Sequence, residues 1–572
     1  MKFLNKKNYI ILFFLIFLSA ENKVIAKNNE IQYTRENISS YFLGSISVSR
    51  DYNNEAYQQL KEIQNLKEVH SKYNLKFLRT LVLLERFEQA KIFAKNVWKE
   101  DEFFFEADLL LGLDYFLKKD YQKADKYFKR LNKISQSNFF WRNFFGNILM
   151  TWNQVSLNDK EQSLQLIQNI PEQFYYLKKI QEVFLLCHYD DDLAEKMFKE
   201  LVKSEDYNFS RYNFFLANYF LSKKRTEDAE KIITSSRRED SSNLLLKQSE
   251  GFLKNGKSHK LINLFDCKNP EDIIAEFFYV IASIYSSEKD YILSNFYLKI
   301  SLYLNDKFLP NKTLLAENYY YQKKYNEAQK IYRSLKSVGP VYSWYASRSI
   351  ASILIKEKGN EYAVENLEKS FESLSNPNFE NYFDLANFYK DNEYYEKSIK
   401  YYSLALDKIN QDHFLVSKIL HRRGTSFERL GNWKSAETDL LKSLEILPDQ
   451  AHVLNYLAYS WIEKDINLDR GLEMLIKAAK IKENDGYIID SLGWAYYKKK
   501  NYIEAEYFLR QALELMPLDP VINDHYGDTL WMLNKNIQAR YFWKSVLQLD
   551  TAEEELKNDI KKKLIYGINK QL

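Results

Sequence analysis

The sequence predicts an all-α protein, a right-handed superhelical solenoid of about 13–14 repeated helix-turn-helix units. Three observations carry this. The 572 residues include only 14 Gly and 8 Pro, too few turn formers for a sheet protein or a multidomain enzyme of this length. Aromatic side chains make up 16%, with 44 Tyr and 38 Phe, so apolar surface is ample and disorder is not expected over most of the chain. A small residue also recurs at Ala90, Ala124, Ala194, Ala229, Ser294, Ala328, Ala363, Ser398, Ala436, Ala505 and Ala539. Most gaps that skip no unit are 34 or 35 residues.

Each position of the unit has a physical reason. In 490–520, DSLGWAYYKKKNYIEAEYFLRQALELMPLDP, Leu492-Gly493 is followed by Tyr496, Ala505, Leu509, Ala512 and Pro517. The next segment repeats the order with Tyr526-Gly527, Leu530, Ala539, Trp543 and Val546. Far upstream, Leu111-Gly112, Tyr115, Ala124, Phe128 and Leu131 do so again. Gly424, Gly493 and Gly527 sit where a larger side chain would hold two helices apart, with Ala436, Ala505 and Ala539 at the same contact from the second helix. Tyr, Phe and Leu at helical spacing fill the space between units. Ordering one unit costs about 50 kcal/mol, which at about 25 cal/mol per Å² requires on the order of 2,000 Å² of buried apolar surface. Two short helices cannot hide that much, so the array has to be continuous. This order of residues resembles the tetratricopeptide repeat (TPR), whose pattern is W, L-G, Y, A, F, A and P at these places. The resemblance covers roughly 60–550, close in the last four units and loose in the first half, with degenerate units near 139–172, 240–274 and 451–485.

The ends and joints follow. Lys2, Lys6 and Lys7 precede an apolar run over 9–18, about 15 Å as a helix and so about half of a bilayer core. With the small residues of Val24-Ile25-Ala26, this reads 1–26 as a signal peptide cut after Ala26, with Ala20 the second choice and an uncleaved segment the third. No cysteine follows either point, so a lipid anchor there is not expected. Residues 27–59 are Asn- and Ser-rich and expected to be partly loose. A divergent array is expected over 60–410 and a regular one over 411–550, divided where the spacing widens to 38 residues between Ser398 and Ala436. Residues 551–572 read as a capping helix with Leu556, Ile560 and Leu564 on one face. Glu553, Glu554, Glu555, Lys561, Lys562 and Lys563 are expected on its solvated side.

Several chemistries are argued against. Lys and Arg total 82 against 78 Asp and Glu, a net of +4, which gives no electrostatic footprint for nucleic acid. Arg237-Arg238 and the lysines at 561–563 are tight basic clusters, but acids flank each and solvated helix ends account for them. Residues 251–258, GFLKNGKS, match the phosphate-binding loop pattern. That loop needs a strand before it, whereas 243–250 fit the first helix of a unit and 253–258 align with the inter-helix turn at 430–435. The string is read as a turn, and a nucleotide-binding enzyme is kept only as a remote alternative. Cys187-His188 with Asp190, Asp191 and Asp192 offers adjacent rather than spaced ligands, and a loop between helices explains it better than a metal. Cys187 and Cys267 can make at most one disulfide, and the sequence leaves open whether they pair. No catalytic, cofactor or metal residues are assigned, and no enzyme is expected.

The remaining candidate is the wall of first helices, which in this fold lines the groove. Helical phase from the Leu-Gly and Tyr-Gly pairs places there His421, Thr425, Asn455, Tyr459, Tyr487, Asp490, Trp494, Tyr497, Asp524, Asp528 and Trp531. Aromatics with a few carboxylates and an amide suit a peptide- or helix-binding groove, whereas packing between helices is the plainer role for Trp494 and Trp531. Asp490 and Asp524 stand where a carboxylate clamp would want donors, so a basic or apolar partner is expected. The run at 523–549, NDHYGDTLWMLNKNIQARYFWKSVLQL, with the segment before it, is similar to a family of proteobacterial envelope proteins. One member is a lipoprotein adaptor of a carboxy-terminal processing protease, delivering substrates that include cell-wall hydrolases. The resemblance implies a periplasmic scaffold or adaptor whose partners are other proteins, among them such a protease and its substrates. It departs in lacking the lipidated cysteine, so membrane contact is left to partners or to an uncleaved signal segment. The alternative is a structural part of envelope assembly that delivers no client.

Overall fold

The computed structural model describes residues 34–135, 144–203, 209–239, 243–411 and 413–568. The expected signal peptide at 1–26, its cleavage points and residues 27–33 lie outside them, as do the side chains of Arg237 and Arg238. Among the described residues there are 31 α-helices and no strand. They fall into fifteen consecutive pairs and a last single helix. That is one or two pairs more than the sequence spacing predicts, because the expected loose segment at 27–59 is, from residue 34 on, a pair of its own. Arg35–Ser49 and Asn53–Lys61 flank a turn, and a Cβ on Gly44 would meet Leu60 at 2.7 Å.

Two local rules build every regular pair. First, the small residue of the first helix faces a large one sixteen positions on. A Cβ at Gly112 would lie 2.5 Å from Phe128, at Gly493 2.6 Å from Leu509, and at Gly527 2.6 Å from Trp543. Ala436, Ala505 and Ala539 are fully buried at the same contacts. Second, a residue with positive φ ends the first helix, from Asp51, Glu85 and Lys119 to Lys500 and Asn534. At Glu85 the backbone N–H groups of Glu85 and Arg86 donate to Val82 and Leu81, and at Lys500 those of Lys500 and Asn501 donate to Tyr497 and Tyr496. This turn satisfies the last helical carbonyls. Because most of these positions are Lys, Asn, Asp or Glu, the chain turns repeatedly on very few glycines. Gly251 to Ser258 obeys the same rule. Leu244–Lys254 is helix, Gly256 takes φ +66°, and the N–H groups of Gly256 and Lys257 donate to Leu253 and Phe252. Those amides are engaged in a helix end and do not face a phosphate.

The chain divides into two compact units, Met1–Ile353 and Leu354–Leu572. The widened spacing near Asn410 falls inside the second. In the first unit the early pairs meet the late ones. Lys324 Nζ is 2.5 Å from Asp51 Oδ2, Lys299 pairs with Glu85, and Phe87 stacks on Tyr303 at 4.1 Å. Arg211 forks onto Glu276 at 2.6 and 2.7 Å with the Tyr212 hydroxyl donating to the same carboxylate at 3.0 Å, and Arg79 pairs with Glu106 at 2.5 Å. Cys187 and Cys267 form a disulfide across 80 residues, with Cα atoms 6.0 Å apart. The acidic run beside Cys187 is a turn, but it is not simply solvated. Asp190 pairs with Lys223 and Lys268, each at 2.6 Å, and Asp191 with Lys160 at 3.0 Å. Among the described residues no group of three or more His, Cys, Asp or Glu is placed to hold a metal, and no helix is long and apolar enough to cross a membrane.

The second unit is the regular one. Its last helix, Glu554–Tyr566, buries Ile560 and packs Leu556 and Leu564 beneath it, as its sequence pattern predicts. Lys561 and Lys562 are exposed. Lys563 is not on the solvated side: it turns inward, because two buried carboxylates of the preceding pair await a cation.

Candidate functional site

The first helices of the second unit lie side by side and form one wall. At its carboxy-terminal end the residues singled out from the sequence come together. Asp490, on Gly486–Lys498, accepts from His525 Nδ1 at 3.0 Å across to Pro520–Met532. Trp494 is sandwiched, its ring 4.0 Å from His525 and 4.5 Å from Tyr497, both nearly parallel, while its indole N–H donates to Glu463 at 2.5 Å. Burial alone would lower the His525 pKa, but Asp490, then Asp524 and Asp528, outweigh it and raise the imidazole above its ordinary value. One step further, Lys563 Nζ reaches Asp524 at 2.6 Å and Asp528 at 2.8 Å. Trp543 donates to Asp528 at 2.9 Å, and Trp531 donates to the carbonyl of Ile568 at 3.0 Å. Burial, reinforced by Asp524 and opposed by Lys563, raises the Asp528 carboxyl.

This end is a satisfied network. Asp490, Asp524 and Asp528 are at most 8% exposed and already hold cations, and Trp531 is tied to Ile568, just after the last helix. Their acidity is therefore met from within the chain and does not by itself call for the basic partner expected from Asp490 and Asp524. Tyr487 is the accessible member, 57% exposed. Trp494 and Tyr497 are half-buried, and burial raises the Tyr497 and Tyr459 hydroxyls.

Upstream the same wall is electrically opposite. Lys390 on Phe379–Asp391, Lys418 and Arg422 on Leu415–Arg429, and His452 on Ala451–Glu463 all surround His421. Burial, followed by Arg422, Lys390, His452 and Lys418, holds the His421 imidazole down at about 4. Burial also lowers Lys390, with Asp391 opposing and Arg422 and Arg429 assisting. Among the described residues no carboxylate lies within ion-pair distance of Lys390, Lys418 or Arg422. Arg422 donates to Asn387 Oδ1 at 3.1 Å, and the one acid near His452 is Asp485 at 3.9 Å. Thr425 donates to the Arg422 carbonyl. Next along the wall, Asn455 has a buried carboxamide oxygen with no hydrogen-bond partner. The phase argument from the last four units found His421 and Asn455. It did not reach Lys390, because the pair at 379–408 precedes the last four units to which the phase was applied.

With this geometry in hand, comparison places the repeat. Residues 379–407 and 488–519 each match a family model described as the tetratricopeptide repeat. The chain carries tetratricopeptide repeats. The two matched TPR units contribute first helices to the cationic and acidic ends of the wall respectively, and both matches describe a repeat rather than a catalytic domain. Over 176 residues the chain is 27% identical to the TPR repeat-containing protein PA4667 of Pseudomonas aeruginosa, spanning 31% of this chain and 29% of that relative, so under a third of its length is matched. Among solved structures, the Cut9–Hcn1 hetero-tetramer of the APC/C is similar over 89% of this chain and 99% of that one, at 15% identity and a TM-score of 0.37. A tetratricopeptide repeat protein from Parabacteroides merdae covers 38% and is itself covered over 86%, at 19% identity and a TM-score of 0.33.

Proposed function

We propose that the protein is a non-catalytic scaffold that holds segments of other proteins along the first-helix wall of its second unit. The observation that carries this is the stretch of that wall where Lys390, Lys418 and Arg422 have no carboxylate within ion-pair distance among the described residues, although Arg79, Arg211, Lys299 and Lys324 elsewhere in the chain each meet one. Cations without an acid of their own, with the exposed Tyr487 further along, are what a binding wall keeps for its partner.

Export to the periplasm is part of this reading. The charged and apolar pattern of 1–26 supports it, and so does the Cys187–Cys267 bond, since disulfides persist in oxidising compartments. The likeness to the adaptor of a carboxy-terminal processing protease extends the proposal to client delivery for such an enzyme. A photo-crosslinking residue at Tyr459 or Tyr487, compared with one at Tyr507 on a second helix, tests the wall in periplasmic extract. Capture from the first two positions and not the third is expected. Capture from Tyr507 alone would move the binding surface to the other face. A protease among the captured proteins would support delivery, and only fixed envelope components would overturn it.

A further inference from the structure

The second helices of the last two pairs depart from the pattern of those before them. Two residues before and two after the small buried residue of a second helix, the side chains face solvent. In the four preceding second helices they are polar or charged: Glu361 and Glu365, Glu396 and Lys400, Lys434 and Thr438, Asp469 and Glu473. In the last two pairs the same places hold Ile503 and Tyr507 on Tyr502–Leu515, then Ile537 and Tyr541 on Asn536–Val546. All four are between 57% and 85% exposed. We propose that this apolar ridge is a self-association surface, where a second copy of the chain packs about a two-fold axis. The axis lays Tyr502–Leu515 of each copy on Asn536–Val546 of the other. The proposal is independent of the first-helix wall, which is built from the other helix of each pair and stays open.

Packing inside the array does not use these four side chains. Leu509 and Trp543 fill the contacts between helices, and Phe508 and Phe542 pack against neighbouring cores. A lone exposed Ile or Tyr is ordinary, but four at one register of neighbouring repeats form a patch of the kind that marks an interface. Four exposed side chains of this size offer on the order of 500 Å² of accessible surface. The stems of the charged residues beside them bring that toward the roughly 800 Å² per partner of a standard interface.

Charge identifies the occupant as the chain itself. Beside Ile503 and Tyr507 the exposed charges are Glu504, Arg510 and Glu514, an acidic excess, whereas Asn536–Val546 contains no acid and exposes Arg540 and Lys544. Among the described residues the one ion pair made from these two helices is that of Glu506 with Lys535, so none of those five charges is claimed by an ion pair. Arg540 meets only the carbonyl of Leu564 and the ring of Trp531. The surface is therefore its own complement. One two-fold sets Ile and Tyr on Ile and Tyr and brings Glu504 and Glu514 of each copy toward Arg540 and Lys544 of the other. A bilayer fits less well, because Glu504 and Glu514 would face its anionic headgroups. A crosslinker at Tyr507 then joins two copies of this chain without capturing another protein.

The test is sedimentation of the purified full chain between about 1 and about 100 μM, where a monomer–dimer equilibrium is expected. Tyr507→Ala with Tyr541→Ala should weaken the dimer at least about a hundredfold, since the two-fold removes each ring twice. Glu514→Lys or Lys544→Glu alone should weaken it about tenfold, and the two together should restore it to within about threefold. Lys434→Glu, at the equivalent place of an earlier pair, should change nothing, and circular dichroism of each variant checks folding. A chain that is monomeric throughout overturns the proposal, as does a dimer indifferent to the tyrosine variant. A double exchange weaker than either single one overturns the pairing of the two helices. Binding to phosphatidylglycerol vesicles by a chain that stays monomeric, lost with the same tyrosines, would give the ridge to a membrane instead.

Discussion

The two units use the same repeat to opposite ends. In residues 34–353 turn and second-helix side chains tie the early pairs to the late ones through Asp51–Lys324, Glu85–Lys299 and the stacking of Phe87 on Tyr303. In residues 354–568 each pair contacts chiefly its neighbours, and the wall they form holds, among the described residues, cations with no carboxylate within ion-pair distance at one end and a satisfied acid–base network at the other. A tandem array therefore becomes a self-contained body or an open wall according to where its charges find their partners. The pair geometry is the same in both.

Substitutions can break this comparison in a graded way. The largest effect is expected from Lys324→Ala, which leaves the Asp51 carboxylate, 3% exposed, with only Asn53 and Gln322 as donors. Removing one partner of such a pair costs about 3 kcal/mol or more. Calorimetry should show the transition of the first unit falling and that of the second unchanged. Next comes the disulfide. Cys187→Ser with Cys267→Ser should lower the same transition by about 2–4 kcal/mol, and the second unit should again be indifferent.

Two glycines give a smaller contrast of opposite sign. In Gly493→Ala the new Cβ would stand 2.6 Å from Leu509 Cγ and 3.0 Å from its backbone nitrogen, and a loss of about 1–3 kcal/mol is expected in urea unfolding of the second unit. In Gly251→Ala the nearest atom is 3.8 Å away on a helix, so a gain of about 0.5–1 kcal/mol is expected in the first. A destabilised Gly251→Ala would mean that the 251–258 string has a role beyond a helix and its turn.

How much of this was legible follows from the same residues. The spacing of Ala90, Ala124, Ala505 and Ala539, with glycines sixteen residues before a large apolar side chain, fixes the pair because both rules are local. The first pair was passed over although Ala56 lies 34 residues before Ala90 and Gly44 sixteen before Leu60, because its Asn- and Ser-rich composition argued for a loose segment. At the wall, phase alone brought Asp490, Trp494 and Asp528 to one face. It could not say that His525 and Lys563 would claim those carboxylates, since those partners stand 35 or more residues away and meet them only through stacking. Charge in a repeat protein is readable as position and not as pairing.

The smallest prediction sharpens the contrast inside the wall. His421, held down at about 4, stays neutral when folded, so its contribution is fully present above pH 6.5 and is lost as pH falls from 6.5 toward 4. His525, raised by Asp490, contributes the reverse way. Its stabilisation is fully present below pH 6.5 and disappears as pH rises through its elevated pKa. Histidine NMR titration of the two rings should show them moving to opposite sides of 6.5. Coincident titrations would mean that the two ends of the wall are electrically alike.

The ties between Asp51 and Lys324 also bear on how the protein comes to be folded. Those side chains are 273 residues apart, so the first unit is completed only when the ninth pair has been made, and its rate includes the closure of a long loop. The second unit asks only that each pair find the one before it, so its folding can start locally and spread. Synthesis and folding order are thus uncoupled. The half made first closes slowly, and the half made last has the shorter search.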